Sequence, residues 1–331
     1  MEKRFDVTAV GNAIVDVLAQ SDDEFLAALE LPKGAMNLID AAMAERLYSL
    51  MGPGVETSGG SAGNTVAGIA ALGGRAAYIG KVADDQLGQV FTHDIRAVGV
   101  TYDTPRLKGG LPTARCLIFV TPDAQRTMQT FLGATTQLGP EDVNMDYITS
   151  SKVLYLEGYL WDQPRAKQAM RDAAIAAQKA GVKTSFTLSD AFCVARYRDE
   201  FIELVNNHID ILFANEHEIL SLYQVDTFDE ALQHVRGHCE IAALTRSEKG
   251  SVIVRGNEVH VIDAERGVKV VDTTGAGDAY AAGFLYAYTR GFDLATCGRL
   301  GGVMAAEVIS HYGARPVGDV KGLAARVLEG V

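Results

Sequence analysis

Val270-Val271-Asp272-Thr273-Thr274-Gly275-Ala276-Gly277-Asp278-Ala279-Tyr280 decides how this chain is read. Residues 269–271 are strand-like. Residues 279–288 are good helix formers, with Ala281, Phe284, Leu285 and Tyr288 on one face. Gly275-Ala276-Gly277 therefore opens a helix with little side-chain bulk. Free backbone N–H groups and the helix dipole favour an anion there. Asp278, in the first turn, sets a carboxylate beside that anion hole. A carboxylate next to a phosphate site is costly unless it has a task. The natural task is to take the proton of a hydroxyl that attacks the phosphate. The alternative is structural, with Asp278 capping the helix and the glycines serving a tight turn. The stretch is no Walker A loop, since no Gly-Lys-Ser/Thr follows. Nor is it a dinucleotide fingerprint, because the third glycine of G-x-G-x-x-G would fall at Tyr280.

Outward from this turn, strand-like runs alternate with helical ones. Residues 5–10, 152–156, 183–188, 209–213 and 241–245 read as strands. Residues 61–72 and 164–180 read as helices, the second ended by Gly181. Such alternation predicts a mostly parallel sheet with helices on both faces. Polar residues follow the C-terminal ends of the strands: Asn12 and Asp16, Glu157, Ser189 and Asp190, Asn215, Glu216 and Glu218, Thr245 and Ser247. That edge is where open α/β sheets bind ligands, although many of these residues would also serve as ordinary caps. Residues 17–39 and 101–131 are strand-like without a helical pattern between them. Within the second, 117–120 and 127–131 flank Thr121-Pro122-Asp123-Ala124 as a hairpin.

Composition sets the bounds. A chain of 331 residues with 48% hydrophobic content has ample material for a large core. A net charge of −12 without a basic run argues against nucleic-acid binding. It also means that a nucleotide site needs local neutralisation, most cheaply by Mg²⁺ and a few basic groups. Cys116, Cys193, Cys239 and Cys297 are far apart and form no C-x-x-C, so reduced thiols of a cytoplasmic protein are expected. The N-terminus lacks an apolar signal region, and no apolar run approaches membrane-spanning length, so no membrane partner is expected.

Asp272-Thr273-Thr274-Gly275-Ala276-Gly277-Asp278 resembles the C-terminal signature of the ribokinase-like (PfkB) carbohydrate and nucleoside kinases. A second match lies upstream, in Gly59-Gly60-Ser61-Ala62-Gly63-Asn64, Ala71-Leu72-Gly73-Gly74 and Gly80-Lys81-Val82-Ala83-Asp84-Asp85-Gln86-Leu87-Gly88, which is similar to the N-terminal signature. Both motifs stand in family order and together span most of the chain. The resemblance implies one ribokinase-like kinase domain over residues 1–331, an α/β/α core with a mostly parallel sheet. A small β-sheet lid is inserted at about 17–40 and 101–131. It implies phosphoryl transfer from ATP, with Mg²⁺, to a hydroxyl of a small-molecule sugar or nucleoside.

The family likeness then assigns parts. Asp278 is the base, and Gly275, Ala276 and Gly277 donate N–H groups to the transferring phosphoryl. Asn215-Glu216-His217-Glu218 is similar to the N-x-x-E motif, in which Asn215 and Glu218 organise Mg²⁺ and its waters. The structural alternative for Asn215 is a helix N-cap, and His217 is a surface helix residue. Thr245-Arg246-Ser247-Glu248-Lys249-Gly250 resembles the nucleotide-phosphate turn, so Thr245, Ser247 and Gly250, with Thr274, fall on the ATP side; a plain polar loop is the alternative. The adenine of ATP belongs near residues 301–313. Arg126 matches loosely an arginine that swings toward the phosphates in adenosine-kinase-like members; a solvated lid arginine is the alternative. Family members often carry a K⁺-type site beside the anion hole. The chain is expected to be a monomer or homodimer.

On the acceptor side, Gly11-Asn12-Ala13-Ile14-Val15-Asp16 is similar to the G-N-x-x-x-D opening of adenosine kinases. Asn12 is then a substrate contact, and Asp16 accepts from two sugar hydroxyls. Gly59 and Gly60 admit the sugar close to the backbone, Asn64 adds a hydrogen bond, and Asn37 reads a purine edge. The run Glu157-Gly158-Tyr159-Leu160-Trp161 departs from the adenosine-kinase pattern, and a glutamate there is similar to sugar kinases. Trp161 stacks on a base or, the preferred reading, fills a gap between helix and sheet. These residues lead to phosphorylation of the 5′-hydroxyl of a purine nucleoside, adenosine first, with a ribokinase- or fructokinase-type sugar kinase as the alternative. A binding protein without catalysis is a third reading, disfavoured by the intact turn and Asp278.

Overall fold

Phe5–Val10 is buried at every position, as a strand covered on both faces must be. The protein is described from a computed structural model, over residues 3–123 and 125–330. Ala124 of the expected hairpin turn lies outside the described residues. Among these, nine strands form the larger sheet. Their order is Glu258–Ile262, Ser251–Arg255, Ile241–Thr245, Ile211–Asn215, Lys183–Thr187, Ser151–Glu157, Phe5–Val10, Ala76–Ile79 and Thr101–Tyr102. All neighbours are parallel except at the hairpin Ser251–Arg255 and Glu258–Ile262, which is antiparallel within itself and to Ile241–Thr245.

Side-chain alternation divides the core into two halves. Ile211 and Phe213 face the helices Ser61–Ala71, Ala276–Tyr288 and Leu294–Ile309, while Leu212 and Ala214 face Pro164–Lys179, Ala191–His208 and Glu216–Tyr223. Each such aliphatic side chain contributes roughly 1.5–3 kcal/mol by leaving water. The expected three-layer α/β/α architecture is therefore present. Trp161 is fully buried against Phe186 and Phe201 with its Nε1 donating to Glu200, so it fills the gap between helix and sheet.

A second sheet has the order Met36–Leu38, Arg126–Phe131, Ala114–Val120, Ile14–Gln20 and Gly54–Gly59. It differs from the expected lid segments in three ways. Gly54–Gly59 joins it, pairing antiparallel with Ile14–Gln20. Thr101–Tyr102 belongs instead to the edge of the larger sheet. The helix Asp23–Ala28 interrupts the stretch expected to be strand-like, and a second helix, Ala41–Leu50, follows it; each is started by an aspartate, Asp22 and Asp40, that accepts from a backbone N–H. A six-residue helix and a three-residue strand carry too little periodicity to be seen in sequence.

Residues 269–271 are not a strand. Val271 and Asp272 donate instead to the Ile309 carbonyl at the end of the helix Leu294–Ile309, at 2.8 and 3.3 Å. The turn before Ala276–Tyr288 is thereby tied to the loop 310–319.

Candidate active site

The turn closes on Gly275, whose φ of +77° is the left-handed conformation that glycine tolerates. A side chain there would also meet Ala314, at 2.6 Å from its Cβ. Gly277 is different, with nothing within 4 Å of where a Cβ would stand. Asp272 braces the turn. Its Oδ1 accepts from Thr274 N and Oγ1, and its Oδ2 from Gly313 N. The Ala276 N–H is directed to the Thr273 carbonyl at 3.2 Å. The N–H groups of Gly275, Gly277 and Asp278 have no backbone acceptor among the described residues, so the free donors include Asp278 and not Ala276.

Asp278 does not cap its own helix. Its Oδ1 accepts from Ser61 Oγ at 2.6 Å and its Oδ2 from Asn64 Nδ2 at 3.2 Å. Both donors belong to the helix Ser61–Ala71, so the two sequence signatures meet at one carboxylate. Burial lifts Asp278 to about 6, while Ser61, Asn64 and the Arg315 charge hold it down. A carboxyl in that range is ionised at neutral pH and basic enough to take a proton.

Asp16, on Ile14–Gln20, faces the same cavity, about 710 Å³ in volume. No protein group among the described residues donates a hydrogen bond to its carboxylate. Burial lifts it to about 6, against the Arg315 and Arg126 charges, with Asp278 pushing it further up. Gly59 makes room for Asp16: a Cβ there would lie 2.3 Å from Asp16 Oδ2. A Cβ at Gly60 would lie 2.1 Å from the Asn12 carbonyl. The space a side chain would take at either glycine is filled by the protein itself; Gly60 still lines the cavity, whereas Gly59 does not.

Asn12 lines the cavity, but both ends of its amide are taken. Its Nδ2 donates to Glu157 Oε1 at 2.7 Å, and its Oδ1 accepts from Thr135 Oγ1 at 3.0 Å. Glu157 also accepts from the Ala62 and Asn12 backbone N–H groups. Burial raises it to about 7 against these donors. Asn37 does not line the cavity. Its strand neighbours Met36 and Leu38 do, because successive side chains point to opposite faces.

On the nucleotide side, Thr245 and Thr274 line the cavity, whereas Ser247, Gly250 and residues 301–313 do not. Gly250 instead fits against the Ile262 carbonyl in the turn before the hairpin. Asn215 and Glu218 form a reciprocal cap: Asn215 Oδ1 accepts from Glu218 N, and Glu218 accepts from Asn215 N and Nδ2. The capping alternative is therefore real, yet both residues also line the cavity, and burial beside Asp190 and Asp278 raises Glu218 to about 7. The cavity wall carries Asp16, Glu157, Asp162, Asp190, Glu218 and Asp278 against Arg196 as its only cation among the described residues. Such a wall suits a polyphosphate only with a divalent cation between. No three acidic, His or Cys side chains among the described residues cluster closely enough to bind a metal unaided. The donor set fits a hydrated ion, whose waters Glu218 and Asn215 would hold.

Arg126 is not a solvated lid residue. It is buried, with Nη2 2.8 Å from Asp272 Oδ2 and its guanidinium 5.5 Å from the Tyr312 ring. Sequence reasoning missed Ser61 as a partner of Asp278, although Ser61 lies inside a quoted motif. It missed Arg315 altogether, because nothing local marks a single arginine in a loop. Among the described residues no helix is long and apolar enough to cross a membrane, and the four cysteines are free.

Residues 34–319 match the family of pfkB carbohydrate kinases. A probable sugar kinase from Rhizobium etli CFN 42 is 55% identical, with a TM-score of 0.91 over 99% of this chain and 100% of that one. The adenosine kinase from Sinorhizobium meliloti is 56% identical, with a TM-score of 0.90 over 98% of this chain and 99% of that one. An uncharacterized sugar kinase from Archaeoglobus fulgidus is 32% identical over 252 residues, covering 75% of this chain and 96% of that protein.

Proposed function

The chain belongs to the pfkB family of carbohydrate kinases, a phosphotransferase family acting on alcohols, and from that premise we propose that it phosphorylates the 5′-hydroxyl of a purine nucleoside, adenosine, with Mg²⁺-ATP. The product is AMP, and the role is purine salvage. The whole chain acts as one kinase domain, with the smaller sheet as its lid.

Asp16 carries the reading. It is a partly buried carboxylate with no protein donor, facing a cavity that also holds Asp278 and the helix N-terminus. A buried carboxylate without a partner is costly, and a vicinal diol supplies two donors. With the ribose gripped there, the 5′-oxygen attacks the γ-phosphorus in line. The bond from the γ-phosphorus to the oxygen bridging it to the β-phosphorus breaks, and ADP leaves. Asp278 receives the hydroxyl proton. The free N–H groups of Gly275, Gly277 and Asp278 meet the charge on the transferring phosphoryl. Mg²⁺, when bound, spreads that charge, and Glu218 and Asn215 hold its waters.

The smaller-sheet end also has an apolar wall of Met36, Leu38, Cys116, Met128 and Leu132. A nucleobase matches such a surface, whereas a free sugar carries hydroxyls on most of its carbons and leaves it bare. Similarity to the Sinorhizobium enzyme points the same way. The sugar-kinase reading draws on the other two relatives and on Glu157. Against it, both Glu157 oxygens are already engaged by Asn12 and Ala62.

ADP release with Mg²⁺-ATP is the test, run with adenosine, inosine, guanosine, ribose and fructose. Turnover with adenosine at micromolar KM is expected. Turnover with a free sugar alone would move the substrate to the sugar-kinase reading, and no turnover would favour a binding protein.

A further inference from the structure

Arg315 is drawn into the site from outside both sequence motifs. It stands in the loop after Leu294–Ile309, next to the Ala314 that packs on Gly275. Glu307 closes this loop by accepting from Val317 N and Gly318 N. The guanidinium then divides its donors. Nε donates to Asn64 Oδ1 at 3.2 Å and Nη1 to Asp94 Oδ2 at 3.2 Å. Nη2 is buried without a hydrogen-bond partner among the described residues. Asp94 is itself held by the backbone N–H and hydroxyl of Ser58.

The bond to Asn64 has a directional consequence. Arginine has only donors, so Asn64 must turn its carbonyl oxygen toward Arg315 and its amide nitrogen toward Asp278. With the opposite orientation, a carbonyl oxygen would face the Asp278 carboxylate. Arg315 also places a positive charge where Asp16 and Asp278 both feel it. The other titratable groups that sense Asp278 are Asp16, Glu157, Glu218, Tyr155 and Tyr159, and each disfavours its charge or is neutral.

We propose that Arg315 is the positioning residue for the general base: through its Nε bond it fixes the Asn64 amide on Asp278 and sets its guanidinium behind that pair. This rests on Asp278 being the base.

The experiment is kcat against pH with Mg²⁺-ATP and saturating adenosine, or ribose if adenosine is not turned over. It compares wild type, Arg315→Met, Arg315→Lys, Asp278→Asn and the double variant Asp278→Asn/Arg315→Met. kcat reports groups in the bound complex, where Asp16 is occupied. In Arg315→Met the acidic limb moves up, by less than the roughly one to three pH units that a directly paired arginine gives, because Arg315 reaches Asp278 through Asn64. Arg315→Lys returns the limb toward its wild-type place but keeps kcat down roughly ten- to hundredfold, since the fork to Asn64 is lost. Adding Arg315→Met to Asp278→Asn costs nothing more, because the two act through one group. An unmoved limb in folded Arg315→Met, or a full further loss in the double variant, overturns the inference. Should Arg315→Met fail to fold, Arg315→Lys decides, and a kcat within twofold of wild type overturns it. Near-normal turnover in Asp278→Asn sinks the base assignment instead.

Discussion

Ser61 donates to Asp278 at 2.6 Å across 217 residues of chain. The bond joins the N-terminus of one helix to the first turn of another. Each helix brings a short-side-chain turn, Gly59-Gly60 and Gly275-Ala276-Gly277, so the two ends approach closely. A carboxylate placed this way is oriented by two helix ends and not by its own rotamer alone. Its activity and its pKa therefore respond to residues on both.

Asp278→Asn should lower kcat by about 10²–10⁴ while nucleoside binding persists, the usual worth of a general base. Retained turnover in the purified variant would place the base elsewhere.

The same variant should be more stable than wild type at neutral pH. Asp278 has a folded pKa raised above its unfolded value, so its ionisation opposes folding above about pH 4 and does so fully above about pH 6. Asparagine removes that opposition, a gain on the order of 3 kcal/mol at pH 8. At pH 4 the two proteins should melt together. Thermal melts at both pH values check this, and a less stable Asp278→Asn at pH 8 would contradict it.

The acidic limb of activity should lie near pH 6. Burial lifts both Asp16 and Asp278 to about 6, and Asp278 pushes Asp16 further up, so kcat/KM should fall with more than one proton below that pH. A limb at pH 4, measured in a constant-ionic-strength buffer series, would mean that neither carboxylate is needed ionised.

Asp16→Ala should raise the acceptor KM by one to two orders of magnitude, roughly the cost of unpaired polar groups on a bound substrate, with little change in the KM for ATP. Initial rates over a grid of both substrates would show this. Unchanged acceptor kinetics would take Asp16 out of the acceptor site.

Gly275→Ala and Gly277→Ala should separate. The first forces a side chain into Ala314 at φ +77°, so loss of stability of about 1–3 kcal/mol and loss of the turn are expected. The second meets nothing in the protein and should fold normally. If it raises the KM for ATP or lowers kcat, the room above Gly277 is occupied by the phosphoryl group during turnover. Circular dichroism melts and steady-state rates distinguish the pair.

Much of this arrangement was readable where the signal is contiguous. Strands 5–10 and 241–245 have the expected bounds, and the turn at 275–278 and the pair Asn215 and Glu218 lie where local patterns place them. Other features depend on distant partners. Arg315 meets Asn64 across 251 residues, and no window of sequence contains both. Gly59 reads as room for a ligand because sequence shows that a side chain is missing but not that Asp16 takes the space. Asn37 was chosen by loose alignment, and one step along a three-residue strand turns its side chain to the opposite face from Met36 and Leu38.

The cavity is walled from two different sheets, the proposed acceptor contacts from one and the proposed transfer apparatus from the other. Ile14, Asp16, Met36, Cys116, Met128 and Thr130 come from the smaller sheet, while the helix behind Gly275 and the strands ending at Asn215 and Thr245 belong to the larger layer. The two halves touch at an ion pair, Arg126 of the smaller sheet with the Asp272 that braces the turn. On the proposed function, a lineage can diversify what it phosphorylates through most positions of five short strands, whereas a change at Arg126 reaches the phosphate-handling half as well.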